Sequence, residues 1–425
     1  MFLQTETGFS PTPSKPWQPH AASEDTGAEL FDADGDGDLD VYIASGSNEF
    51  PANDERYRDR LYLNDGNGNF RHAPDALPDV RVSTSCVAAH DFNGDGLPDL
   101  FVGGRLDPGS YPAHGTSLLL ENVNGTFRDE TDVLAPGLRE AGMVTDAAWV
   151  DLQQDNNPEL VVVGEWMPVQ VWNNDGQRFT NTTEAAGLAN YTGWWYSLHA
   201  ADMDGDGDTD FIAGNLGLNA KYKASMNEPF EVYQHDFDQN GHQDIVLSYY
   251  NEGTPYPVRG RQCSSEQVPV IADRFPSYEA FSTASTQQVY GPALGTALHL
   301  KANTMASSYI ENKGDGTFAV HALPNEAQLS ATNAIATRDL NGDGHLDVLL
   351  AGNMYHAEVE TRRHDASIGC VLLGDGTGDF KAAPYSVTGF EALGDVKAME
   401  VLDARGSGTY AVIAGNNQAV QVLKR

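Results

Sequence analysis

The chain has 425 residues, 40% hydrophobic and 20% charged, with 43 glycines and 21 prolines, a globular composition rich in turns rather than a disordered or fibrous one. Its 25 basic against 61 acidic residues leave a formal charge of −36, which argues against nucleic acid or an anionic membrane as partner and points to cations. Cys86, Cys263 and Cys370 are too scattered for a disulfide framework or a zinc pattern. No transmembrane segment is visible, because no run approaches the roughly 18 apolar residues that span a bilayer.

In chain order, residues 1–19 open with MFLQTETGF, which reads as the outer hairpin of a sheet with no inner strands before it. From Asp32 a nine-residue pattern recurs, Asp-x-Asp/Asn-x-Asp/Asn-Gly-x-x-Asp. It appears as DADGDGDLD (Asp32 to Asp40), DFNGDGLPD (Asp91 to Asp99), DMDGDGDTD (Asp202 to Asp210), DFDQNGHQD (Asp236 to Asp244) and DLNGDGHLD (Asp339 to Asp347). A degraded copy, DLQQDNNPE, spans Asp151 to Glu159, and a nearly erased one, DARGSGTYA, begins at Asp403. Each copy is followed by a β-rich run such as VYIASG, LFVGG or FIAGN, and most by a second run ending in a Gly/Asn turn and a Phe, such as LYLNDGNGNF. That is four short antiparallel strands per unit.

A lone sheet of this size cannot bury both faces, whereas sheets arranged radially cover one another. The expected fold is therefore all-β, a seven-bladed β-propeller of four-stranded antiparallel blades. The blades are placed near 20–80, 81–138, 139–188, 189–228, 229–325, 326–387 and 388–425 plus 1–19, the last closing the ring from both chain ends. An insertion near 252–305 has helical apolar spacing. The Asp202 copy shows no outer hairpin of its own, so an irregular or shared blade is expected there. Trp194, Trp195 and Tyr196 read as inter-blade core.

Carboxylates at positions 1, 3 and 5, a backbone carbonyl at 7 and a carboxylate at 9 converge inside a tight turn, and glycine at 6 permits the positive φ it needs. Hard oxygen ligands in a flexible loop suit Ca²⁺. The loops are not EF-hands, since Ile43 stands where the twelfth-position Glu would be and strands flank them. The candidate metal residues are Asp32, Asp34, Asp36, Asp38 and Asp40; Asp91, Asn93, Asp95, Leu97 and Asp99; Asp151, Asp155 and Glu159; Asp202, Asp204, Asp206, Asp208 and Asp210; Asp236, Asp238, Asn240, His242 and Asp244; and Asp339, Asn341, Asp343, His345 and Asp347. About five to six calcium sites are expected, with the Asp403 copy empty. Extracellular-type sites of this kind stay empty in cytosol. That places the protein outside the membrane, although the opening residues lack a secretory signal, so the chain is read as part of a longer precursor.

These loops, followed by apolar-Gly-Gly/Asn runs, resemble FG-GAP (integrin α-type, also called VCBS) repeats. DLFVGGRLDPGSYP (99–112), GWWYSLHAADMDGDGDTDFIAGNLGLN (193–219), RFPSYEAF (274–281) and LLAGNMYHAEVETRRHDASIG (349–369) resemble bacterial VCBS-repeat proteins that often carry an ASPIC/UnbV segment. The resemblance covers essentially the whole chain. It implies a calcium-binding propeller on a bacterial protein that is secreted, periplasmic or at the cell surface, used for binding or adhesion.

If the calcium loop joins strands one and two, the connection from two to three lies at the opposite end, and those connections are long and varied. Arg105, Glu165, Trp166, Asn215, Asn219, Tyr355, His356, Arg362 and Arg363 are the candidates for a ligand face there. The leading reading is a non-catalytic binding propeller for an unidentified protein or glycan. The alternatives are a polysaccharide-active, lyase-like enzyme, using His114, His356 or His364 near Arg105 or Arg362, and a structural region of a larger surface protein. A deep pocket with a His hydrogen-bonded to an Arg or acid would favour catalysis.

Overall fold

The structure, a computed structural model, describes residues 2–5, 8–11, 15–357, 361–404 and 408–424. It is all-β apart from short helices, none long and apolar enough to cross a membrane. The chain divides into two units, residues 1–162 with 171–182 and residues 163–170 with 183–425.

In the first unit, β1 (Phe2–Thr5) and β2 (Gly8–Pro11) form a separate two-stranded hairpin. Three sheets follow, their strands hydrogen-bonded in chain order. The first holds β3 (Asp25–Phe31), β4 (Asp40–Ser45), β5 (Arg60–Asn64) and β6 (Phe70–His72). The second holds β7 (Ser83–His90), β8 (Asp99–Leu106), β9 (Leu118–Val123) and β10 (Thr126–Asp129). The third holds β11 (Met143–Val150), β12 (Glu159–Met167), β13 (Gln170–Asn174) and β14 (Phe179–Asn181), of which residues 163–170 are counted with the second unit.

The second strands carry continuous apolar runs because both their faces are covered; every residue of β12 is buried. Phe31, Tyr42 and Leu61 of the first sheet pack on Val87, Leu100, Val102 and Phe127 of the second, and each fully buried side chain of this size contributes about 1.5–3 kcal/mol. The glycine that ends these runs has a steric cause. A Cβ on Gly103 would lie 2.6 Å from both Cys86 Sγ and Val144 Cγ1, so only glycine lets the neighbouring sheet approach.

In the second unit, the two-residue β15 (Gly193–Trp194) pairs with the end of β12. The chain then makes β16 (Ser197–Ala201) and β17 (Asp210–Gly214) and leaves that sheet for a nested one. The nested sheet contains β18 (Phe230–His235), β19 (Asp244–Asn251), β20 (Thr254–Pro257) and β21 (Leu298–Ala302), in the order β20-β19-β18-β21. Short helices over Arg261–Gln267, Val270–Arg274, Tyr278–Ser282 and Thr286–Tyr290 fill the expected insertion. Val268, Ile271, Phe281 and Val289 pack on Val246 of the nested sheet, and Ser285 starts the last helix with a reciprocal cap to Gln288.

Only after this does the chain return with β22 (Ser308–Asn312) and β23 (Phe318–Ala322), which complete the sheet begun by β16 and β17. Next come β24 (Thr332–Arg338), β25 (Asp347–Gly352), β26 (Cys370–Gly374) and β27 (Phe380–Ala383), then a three-stranded sheet of β28 (Val396–Ala404), β29 (Gly408–Gly415) and β30 (Gln421–Lys424).

One expectation is corrected. The blades placed at 189–228 and 229–325 are one sheet carrying another between its second and third strands. The sheet of β16, β17, β22 and β23 packs through Ile212 and Tyr309 directly on Ile335, Val348 and Leu372, so the nested sheet is not a blade in the series. Sequence periodicity misplaced it because its first two strands and loop copy the inner half of a repeat. For the span 388–425 with 1–19, β1–β2 and β28–β30 are hydrogen-bonded as separate sheets among the described residues. Residues 405–407 of the Asp403 copy lie outside the described residues. Trp194 and Trp195 are buried, as expected of core, while Tyr196 is only half-buried.

Candidate functional site

Each intact aspartate loop joins the first and second strands of its sheet, and its backbone wraps around its first carboxylate. Asp32 accepts from Gly35 N at 2.8 Å and Gly37 N at 3.0 Å. Asp91, Asp202 and Asp339 repeat the pattern from the glycines three and five residues on, and Asp236 does so from Asn240 N and Gly241 N. The fifth-position carboxylate then accepts from the seventh-position N–H, as between Asp206 and Asp208 at 2.9 Å. Gly35 and Gly37 sit at φ 78° and 92°, so the loop needs two left-handed residues, not the single one expected from position six.

The ninth-position acid is a latch. Asp40 is fully buried and accepts from Ala33 N at 2.8 Å and Asn64 N at 2.7 Å, joining the loop to the end of β5. Asp99 does the same with Phe92 N and Asn122 N, Asp210 with Met203 N and Asn312 N, and Asp347 with Leu340 N and Gly374 N. Asp244, in the nested sheet, takes Phe237 N. Burial pushes these acids up, Asp99 to about 7 and Asp210 to about 6, while the backbone donors pull the other way.

One carboxylate oxygen each from Asp32, Asp34 and Asp36 lies within 4.8 Å of the others, and the same holds for Asp202, Asp204 and Asp206 and for Asp236, Asp238 and Asp244. Beside the first triad, Asp38 Oδ1 is buried without a hydrogen-bond partner. The Asp38 carboxyl is pushed up by desolvation and then by Asp36, Asp34, Asp32 and Asp65. An oxygen-only donor set, crowded charge and an orphaned buried oxygen fit a hard divalent cation.

The degraded loop differs. Asp151 keeps its two backbone donors and Glu159 its latch to Leu152 N at 2.8 Å. The amide of Gln153, however, donates to Glu159 Oε1 and to Asn173 Oδ1, putting a donor where the intact loops have an acceptor. Asp403 is engaged by Arg338 at 2.9 Å and by Thr409.

The ligand-face candidates separate. Arg105 is half-buried on β8 in the first unit. In the second unit, Trp166 is buried and stacks on Phe230 at 5.7 Å, Glu165 is buried beside it, and Asn215 is a buried staple, accepting from Trp194 N and donating to Thr304 O. These three belong to the interior. His356 is exposed, while Arg363 lies over the Tyr355 ring at 4.6 Å and pairs with Asp365 at 2.7 Å. Asn219, Arg362 and Arg363 line one cavity of about 380 Å³ with Lys221 and His364. A larger cavity, about 820 Å³, is lined by Asn190, Tyr191, Asn227, Glu231, Tyr250 and Lys301 among others. The sequence reading missed it; its one signal is the acid of FEVYQH, on the polar side of an alternating strand.

Four-stranded antiparallel sheets, with an oxygen-rich loop between the first and second strands, define a repeat protein that fits a β-propeller-like fold. The chain matches the FG-GAP-like repeat family over residues 32–102, 91–162 and 151–213, each match running from one aspartate loop past the next. The matched span, residues 32–213, carries FG-GAP-like repeats. No curated protein matches the chain. Similar solved structures include the exotype rhamnogalacturonan lyase YesX, at 13% identity and TM-score 0.40 over 93% of this chain and 54% of that one, so the chain spans about half the lyase. An Agrocybe aegerita lectin that recognises non-reducing terminal N-acetylglucosamine gives 15% identity and TM-score 0.32, covering 85% and 80% of the two chains. Saccharomyces cerevisiae Sqt1 gives 12% and 0.40, covering 92% and 84%.

Proposed function

We propose that the chain is a calcium-stabilised, non-catalytic binding propeller that works outside the cell, secreted or at a bacterial surface, and takes a protein or glycan at the strand ends opposite the aspartate loops. Calcium would be held by Asp32, Asp34 and Asp36, by Asp202, Asp204 and Asp206, by Asp236, Asp238 and Asp244, and by the matching side-chain oxygens of the Asp91 and Asp339 loops, with the Asp151 loop left without metal. The nested sheet is proposed to stand outside the count of successive blades.

The observation that carries this reading is the contrast between the two ends of the strands: one end repeats a single oxygen-rich loop, while the other holds varied side chains around polar cavities. At roughly tenfold the dissociation constant, each calcium adds about 1.4 kcal/mol, so five would add about 7. A glycan array probed with and without chelator tests the reading; binding that requires calcium is expected, and equal binding in both would overturn the dependence.

A second reading, a polysaccharide-active enzyme, has one observation in its favour. His299 Nε2 lies 3.0 Å from Glu231 at the larger cavity. Incubation with polygalacturonate, following the absorbance of unsaturated uronate, tests it.

A further inference from the structure

We infer that the 820 Å³ cavity of the second unit is a binding site for a neutral saccharide, with the Glu231 carboxylate as its central hydroxyl acceptor. This rests on the reading that the strand ends away from the loops bind a ligand.

The site is built by strand register. Glu231 on β18 stands opposite Lys301 on β21, and Tyr233 stands opposite His299. Tyr250 is two residues beyond Ser248, the partner of Glu231 on β19. Opposite residues and alternate residues share a face, so these groups are presented together. β18 runs from Phe230 into the Asp236 loop, which puts Glu231 at the end remote from the proposed calcium.

Glu231 is 4% exposed, yet it lines the cavity. Its carboxylate is oriented from behind. Tyr233 Oη donates to Oε2 at 3.2 Å, His299 Nε2 meets Oε1 at 3.0 Å, and the Tyr233 and His299 rings stack at 4.2 Å. A carboxylate has about four acceptor positions, so two contacts leave others for a molecule in the cavity. The walls are tied down as well. Asn303 N and Thr304 N both donate to Thr192 O, and the Asn303 amide donates to Asn190 O.

The volume lies within the roughly 300–1,000 Å³ of ligand pockets. The lining offers an acid, an ammonium, several amides and two phenol rings, Tyr191 and Tyr250. Closely spaced donors and acceptors beside aromatic rings match a ring of hydroxyls with apolar faces. Glu231 within a chain of net charge −36 disfavours an anionic sugar.

The test uses the full calcium-loaded chain, with cellotriose, chitotriose and maltotriose as neutral probes and trigalacturonate as the anionic comparator, each at up to about 10 mM by calorimetry and saturation-transfer NMR. At least one neutral probe should bind better than trigalacturonate, and Glu231→Gln and Tyr250→Ala should each weaken it about tenfold or more. Because Glu231 is buried, Lys301→Ala, at an exposed position, provides a variant with an unchanged thermal melt and a several-fold loss. Neutral-sugar binding indifferent to all three substitutions but lost in Arg362→Gln would leave the ligand-face reading standing and overturn this site. Absence of binding by every neutral probe, or preference for trigalacturonate, would overturn the inference outright.

Discussion

The loops at Asp32 to Asp40 and Asp151 to Glu159 share a backbone path and differ in what they enclose. In both, the first carboxylate gathers N–H groups from within the loop and the ninth acid holds the loop's second residue. Their third and fifth positions diverge: Asp34 and Asp36 in one, Gln153 and Asp155 in the other. Gln154 and Asn156 take the left-handed conformation, at φ 55° and 68°, that glycine takes in the intact loop. One motif thus does two jobs. Positions one and nine shape the turn and anchor it to the sheet, whereas positions three and five, with the first acid, crowd charge that a divalent cation would relieve.

Removing calcium should have the largest effect, lowering the melting temperature by about 8 °C if five sites are filled; an unchanged scanning-calorimetry trace with chelator would break the comparison at its root. Substituting the latch comes next. Asp40→Asn replaces an acceptor oxygen by a donor facing a buried N–H and should cost about 2–4 kcal/mol with or without calcium. Asp36→Asn should cost about 1 kcal/mol and only when calcium is present. Urea unfolding of both variants in both conditions separates the two jobs.

Asp59 is a control carboxylate outside the loops. It accepts from Tyr42 Oη, Ser45 N and Thr84 Oγ1, and burial pushes it up to about 6. A folded value above the unfolded one means that the folded chain holds the proton more tightly. The associated stability is complete below pH about 4 and is lost as pH rises through 6, by at most about 3 kcal/mol. Asp59→Asn should flatten the unfolding free energy between pH about 4 and 6.5 relative to the parent, at fixed calcium; parallel curves would count against a raised acid there. The smallest effect is expected in the degraded loop, where Gln154→Gly relieves a left-handed glutamine and should stabilise by about 0.5–1 kcal/mol, read as a shift in the urea midpoint.

Much of the loop end was legible because its chemistry is local. A nine-residue spacing of acids and glycines specifies a turn, and the apolar runs beside it specify buried strands. The asparagines closing LYLN, LLLEN and SYIEN were visible as turn residues, but the main task of the second was not. Asn122 Nδ2 donates to Ala33 O of the preceding sheet's loop and to Pro98 O of its own, a staple between neighbouring sheets that no spacing discloses. Trp166 and Asn215 read as ligand-face residues because they follow a glycine-rich strand end; packing against Phe230 and Trp194 makes them interior.

The sequence alone determined the repeat, the oxygen-rich character of its loops and the all-β class, since each depends on residues a few positions apart. Tertiary structure decided which strands pair across the break at Gly214, placed one sheet inside another, and gathered Glu231, Tyr250 and Lys301 around one cavity. Those outcomes depend on hydrogen bonds and packing between segments up to about a hundred residues apart, as when Asp210 accepts from Asn312 N, and the free energy of such contacts is a property of the assembled sheets rather than of any local pattern.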